Sequence, residues 1–310
     1  MAGFCNTFLN RPNHTILPDM NLTSWKSKGS FLNYKNHKVF YIDDGGGSVR
    51  KPIVVLIHGF PTASFDWWKV WVELSKNFRL ITADMTGFGF SDKPVKYNYS
   101  IFDQANLFEE LLCHLKVEKC FLFSHDYGDT VAQELVARAN DNELGFEIEA
   151  LCLLNGGLFP ESYKPRLIQK LLMSPLGPLV SRLSSKNRLR KTFRNIFGPE
   201  TQLTEKEIDE CWELMTMNGG KAVIHKTICY MRERSVNADR WLSALQNTKV
   251  PMRLIDGAFD PISGIHLVNR YKELIQNPDV VVLDQIGHYP QLEAPDLILK
   301  HFLEFINRFN

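Results

Sequence analysis

Four largely apolar runs punctuate the first half of the chain: residues 53–57, 79–83, 120–124 and 150–154. Runs this short, without polar alternation, predict strands buried on both faces, as in a parallel sheet. Between them, residues 100–115 and 129–139 place apolar side chains at helical spacing. Ser100 stands where a helix cap belongs, three residues before Asp103. Residues 31–44 alternate as a hairpin turning near Asn36, followed by a glycine-rich turn at 43–47. Strands alternating with helices imply right-handed βαβ units, hence an α/β fold with a mostly parallel sheet covered on both sides.

After Asn155 the alternation stops. Residues 156–239 carry helical patterns broken by Pro and Gly, clearest at 205–217 behind a Thr204 cap, and no convincing strand. Alternation resumes with a strand at 252–256, a helix from Gly264, a strand at 280–283 and a last helix from Pro295. The expected organisation is an N-terminal arm over 1–30, a core formed by 31–155 and 240–310, and an inserted helical lid over 156–239. The lid would roof the carboxyl ends of the strands, where open sheets bind ligands.

Composition removes several function classes. Lys and Arg number 36 against 35 Asp and Glu, so no global field favours nucleic acid. Six scattered cysteines without a C-x-x-C pair predict reduced, mostly buried thiols. No apolar run reaches the length of a membrane span, and the first residues lack a charged-then-apolar leader. A cytoplasmic location is therefore expected, with association to the endoplasmic reticulum membrane left open. Without a leader, the Asn-x-Ser/Thr triplets at Asn13, Asn21 and Asn98 are chance matches. The basic stretch 182–194 is expected to be a solvated lid face, contact with anionic headgroups being the less ordinary alternative. No Cys/His/carboxylate cluster has metal-ligand spacing, so neither metal nor cofactor is expected. Oligomeric state is left open.

The chemistry concentrates at three strand ends. In Ser124-His125-Asp126-Tyr127-Gly128, Asp126 stands where the G-x-S-x-G turn of many hydrolases holds a serine. Asp260 follows the strand at 252–256, and His288 follows the strand at 280–283. The chain order is nucleophile, acid, histidine. Were Asp260 out of reach of His288, Glu149 and Asn155 would be the alternative orienters. His58-Gly59-Phe60-Pro61 follows the first buried strand and makes the backbone N–H groups of Phe60 and Tyr127 the candidate oxyanion donors. The bland alternative is that Asp126 merely caps the helix starting near Gly128. His125 alternates to the other side of its strand and is expected to be structural. Asp84, Gly87, Gly89 and Ser91 lack the G-x-G-x-x-G spacing and are expected to shape a turn beside the site.

Together with D-x-x-G-F-G-x-S at 84–91, G-x-x-D-P at 257–261 and G-H-Y-P at 287–290, these residues resemble the epoxide hydrolase and haloalkane dehalogenase side of the α/β-hydrolase superfamily. More narrowly, S-H-D-Y-G-D-x-V-A-Q-E-L, N-G-G-x-F-P-E and H-Y-P-Q-L-E resemble the mesoderm-specific transcript proteins, from about Phe31 to the C-terminus. The resemblance implies a hydrolase acting on a small apolar or lipid-derived electrophile and water through a covalent ester. An ordinary aspartate carboxyl, with a reference pKa of about 3.9, is anionic at neutral pH and attacks sp³ carbon without a base, which a serine does not. Epoxide opening needs a proton donor. The family's lid tyrosines match Tyr230, thirty residues before Asp260, and more weakly Tyr163. A dehalogenase would carry Trp and Asn where this chain has Tyr127 and Phe60. Dehalogenation, esterase-like activity and a non-enzymatic binding scaffold are the alternatives.

Overall fold

The computed structural model describes residues 20–45, 47 and 51–309. Its eight strands are β1 Ser30–Tyr34, β2 His37–Asp43, β3 Ile53–Ile57, β4 Arg79–Ala83, β5 Lys119–His125, β6 Glu147–Leu154, β7 Met252–Gly257 and β8 Asp279–Leu283. They form one sheet in the order β1-β2-β4-β3-β5-β6-β7-β8. The hairpin turns through Lys35 and Asn36, both at positive φ (50° and 65°), as a two-residue connection of this hand requires. β2 pairs antiparallel with β1 and β4, and from β4 onward the ladder is parallel.

The buried runs divide by residue parity, as the two-residue repeat of a strand demands. Val55, Ile57 and Leu122 face one apolar cluster, and Val54, Leu56, Phe121 and Phe123 face the other. The first cluster is completed by α3 Ile101–His114, α4 Tyr127–Asn140 and α12 Ile265–Leu274. The second is completed by α1 Leu22–Lys26, α2 Trp68–Ser75 and α14 Pro295–Ile306. On that side the Phe302 ring stacks on Phe123 at 4.3 Å. Within the described part of the N-terminal arm, Trp25 is fully buried and its indole N–H donates to Ser64 Oγ at 3.1 Å. The triplet at Asn13, Cys5 and part of the glycine-rich turn lie outside the described residues.

Between β6 and β7 the chain runs through α5 Leu167–Met173, α6 Gly177–Arg182, α7 Lys186–Arg194, α8 Glu205–Thr216, α9 Ile224–Thr227, α10 Tyr230–Val236 and α11 Ala238–Asn247. The start of α8 is fixed by a reciprocal box: the Thr204 hydroxyl accepts from the Glu207 N–H while Glu207 accepts from the Thr204 N–H. A short helix, α13 Pro290–Glu293, follows β8. Among the described residues no helix is long and apolar enough to cross a membrane, and no cluster of His, Cys, Asp and Glu could hold a metal ion.

Candidate active site

Asp126 sits between the end of β5 and the start of α4 with φ 46° and ψ −103°. A non-glycine residue there stores strain of about 1–3 kcal/mol, held by the surrounding packing. Two glycines let that packing close. A Cβ on Gly128 would lie 2.4 Å from the Ile57 carbonyl oxygen, and one on Gly59 would lie 2.6 Å from His125 Nδ1. The turn therefore presses against the end of β3 with no room for side chains. Asp126 makes no side-chain cap to α4, so the capping alternative fails.

The Asp126 carboxylate instead turns toward the loop after β3. The Phe60 N–H donates to its Oδ2 at 3.0 Å. That loop is held from behind by the Tyr289 hydroxyl, which donates to the Phe60 carbonyl at 3.2 Å. The Tyr127 ring packs against that of Tyr230, centroids 4.4 Å apart.

His288 Nδ1 lies 2.6 Å from Asp260 Oδ2. The carboxylate cannot donate, so Nδ1 carries the proton and Nε2 is left for chemistry. Asp260 also accepts from the Ile262 N–H (2.8 Å), the Ser263 hydroxyl (2.8 Å) and Asn155 Nδ2 (3.2 Å). Burial alone would push its carboxyl up. The His288 charge and these hydrogen bonds reverse that and hold it below the usual carboxylate range. Burial likewise pulls His288 down, but Asp260, and beyond it Asp126 and Glu293, raise the imidazole to about 9. Of the alternative orienters, Asn155 supports Asp260, whereas Glu149 pairs with Lys119 on an exposed part of the sheet.

Tyr230, at the start of α10, brings its hydroxyl 3.4 and 3.5 Å from the two Asp126 carboxylate oxygens. Burial and the Asp126 charge push this phenol well up, so it stays protonated. Tyr163 lies beside it, its phenol likewise pushed up by burial and by the Asp126 charge. Its hydroxyl points to the Met231 sulfur at 3.6 Å. Between these two phenols lies Arg234, a residue the sequence reading missed. Its buried guanidinium lies over both rings, 4.5 Å from the Tyr230 centroid and 5.7 Å from that of Tyr163. It also donates to the Asp126 carbonyl (2.9 Å) and to Thr130 Oγ1 (2.7 Å), tying α10 to the strained turn. An arginine one helical turn after Tyr230 was the available signal.

One further missed residue, Glu293, holds the histidine loop together with His125. Glu293 accepts from the Gly287 N–H (2.8 Å) and the Tyr289 N–H (3.0 Å), straddling His288. His125 Nε2 meets the His288 carbonyl at 2.7 Å, and burial drives this imidazole down to about 3, so it is neutral and structural as expected. Asp84 accepts from the Ser64 and Phe90 N–H groups at 2.8 and 2.7 Å, which makes it a turn organiser.

Asp126 and His288 open onto a cavity of about 120 Å³. Its walls are Phe60 together with residues of the helical insertion, among them Leu172, Leu189, Phe193, Trp212 and Met215. The carboxylate and the imidazole thus meet a mostly apolar space walled by the helical insertion.

A family profile described as the alpha/beta hydrolase fold matches residues 52–295. The mesoderm-specific transcript protein of Mus musculus is 43% identical over 296 residues, covering 93% of this chain and 88% of that protein. Haloalkane dehalogenase 2 of Mycobacterium bovis is 28% identical over 299 residues, covering 93% of this chain and 97% of its own length. Among solved structures, the epoxide hydrolase CorEH superposes with a TM-score of 0.74 at 18% identity, over 91% of this chain and 99% of that one, a likeness of fold alone.

Proposed function

The chain belongs to the α/β-hydrolase fold family, and we propose that it is a hydrolase working through a covalent ester on Asp126, with epoxide-like electrophiles as substrates. The observation that carries this reading is the Phe60 N–H resting on Asp126 Oδ2. It puts a backbone donor where negative charge develops when a water attacks an Asp126 ester.

In the first half-reaction an Asp126 oxygen attacks an sp³ carbon and the carbon–oxygen bond of the epoxide breaks. Tyr230, 3.4 Å from the carboxylate, gives its proton to the departing alkoxide. In the second, His288 Nε2 takes a proton from water, the hydroxide attacks Asp126 Cγ, and the Phe60 and Tyr127 N–H groups hold the oxyanion until the diol leaves. Arg234 keeps Tyr230 and the turn in place. The raised His288 pKa orders the steps. While Asp126 is anionic, the imidazole stays protonated and cannot act as a base. Esterification removes that negative charge, one of those raising the imidazole, and favours passage of its proton to the phenolate that Tyr230 has become, which leaves His288 neutral for the second step.

Incubating His288→Gln with substrate should add the substrate's mass to the peptide containing Asp126, while Asp126→Ala gains nothing. Panels of epoxides, haloalkanes and esters identify the leaving group. A His288→Gln protein that never labels with compounds the native enzyme consumes refutes the covalent route.

A further inference from the structure

The helices α5 and α6 have apolar side chains on two opposite sides. Inward, Ile168, Leu172 and Val180 line the cavity. Outward, Leu167, Leu171, Leu176, Leu179 and Leu183 are 74%, 37%, 58%, 56% and 58% exposed. The spacings 167/171 and 176/179/183 put each set on one helical face, and the two helices pack side by side. Scattered exposed leucines are ordinary, but five within seventeen residues on adjoining helices form a patch that a soluble surface does not keep without use.

Charge identifies what covers it. Residues 162–199 hold nine Lys and Arg and no Asp or Glu, leaving 27 basic against 35 acidic residues in the rest of the chain. On α7, Lys186 and Arg190 reach back to Asp209 and Glu205 of the neighbouring α8. Lys170, Arg182 and Lys191 are exposed and, among the described residues, have no carboxylate partner. Leucines that enter a headgroup layer, rimmed by cations that meet its phosphates, are the pattern of an interfacial helix pair.

We propose that the outer face of α5 and α6, with the basic residues around it, docks on an anionic lipid bilayer. The inner face of the same two helices is a wall of the cavity, so docking would set the cavity beside the bilayer and supply apolar substrate by partition rather than through water.

Vesicle flotation with the full chain tests this without reading turnover, so its outcome is independent of the Asp126 chemistry. Binding to vesicles of phosphatidylcholine with phosphatidylserine should be at least about tenfold tighter than to phosphatidylcholine alone, and should weaken with salt. Leu176→Ser/Leu179→Ser/Leu183→Ser, all at exposed positions, should lose binding to both vesicles while melting like the parent protein. Lys170→Glu/Arg182→Glu/Lys191→Glu should lose only the preference for phosphatidylserine. A parent protein that does not float, or a leucine variant that floats as well as the parent, overturns the proposal. So does a dimer in sedimentation that the leucine substitutions disperse, since the patch would then be covered by a second copy.

Discussion

His288→Gln should erase a pH dependence of stability that the native protein shows above neutrality. The imidazole is buried against Asp260, which raises it to about 9 from an ordinary 6.5. A proton bound more tightly in the folded than in the unfolded chain stabilises the fold. The contribution is complete below pH 6.5 and is lost as pH climbs through 9. At about 1.4 kcal/mol for each pH unit between the two affinities, it amounts to about 3 kcal/mol. Urea unfolding of the native protein and of His288→Gln from pH 6 to pH 10 measures it. The difference between the two curves, rather than either alone, isolates His288, because Lys93, lowered by burial to about 8, titrates in both. The difference should shrink by about 3 kcal/mol across the window. Parallel curves would mean that the resting imidazole is neutral. The ordering of attack before hydrolysis would then lose its electrostatic basis.

Tyr230→Phe should slow formation of the Asp126 ester from epoxides by about tenfold or more with little change in binding, as single-turnover mass spectrometry would show; unchanged turnover would make Tyr230 a packing residue. Arg234→Met should cost about 2 kcal/mol in urea unfolding, because the Asp126 carbonyl and Thr130 hydroxyl lose their donor inside the protein. Lysine at the same position should not restore it, having no planar fork to bridge the turn and cover the two rings. Asp126→Gly and Asp126→Ala should both be inactive, but the glycine variant should be more stable by about 1 kcal/mol, since only alanine must be forced to φ 46°. Equal stabilities would show that the turn relaxes once the carboxylate is gone.

Alternation of buried runs with helical periods determined most of the core before any coordinates. The runs at 53–57 and 120–124 are apolar at every parity because their strands face helices on both sides, and such a pattern has few other uses. Asp126, Asp260 and His288 were legible for the same reason: each follows a strand, and in a parallel sheet the ends of such strands converge. What the sequence left undecided depends on the relative placement of separate elements. The one-turn spacing of Tyr230 and Arg234 is local, yet only the docking of α10 on the β5–α4 turn puts the guanidinium under the Asp126 carbonyl and over both tyrosine rings. That same guanidinium also lies over the Tyr163 ring, whose hydroxyl reaches the Met231 sulfur. Glu293 and Tyr289 hold loops far from them in sequence through bonds to backbone N–H and C=O groups, which any residue supplies and which therefore leave no mark on composition or periodicity. Apolar spacing alone does not separate the five outward leucines of α5 and α6 from the inward side chains of the same helices. Only the packing of those helices, inner face to the cavity and outer face to solvent, separates Leu172 from Leu176.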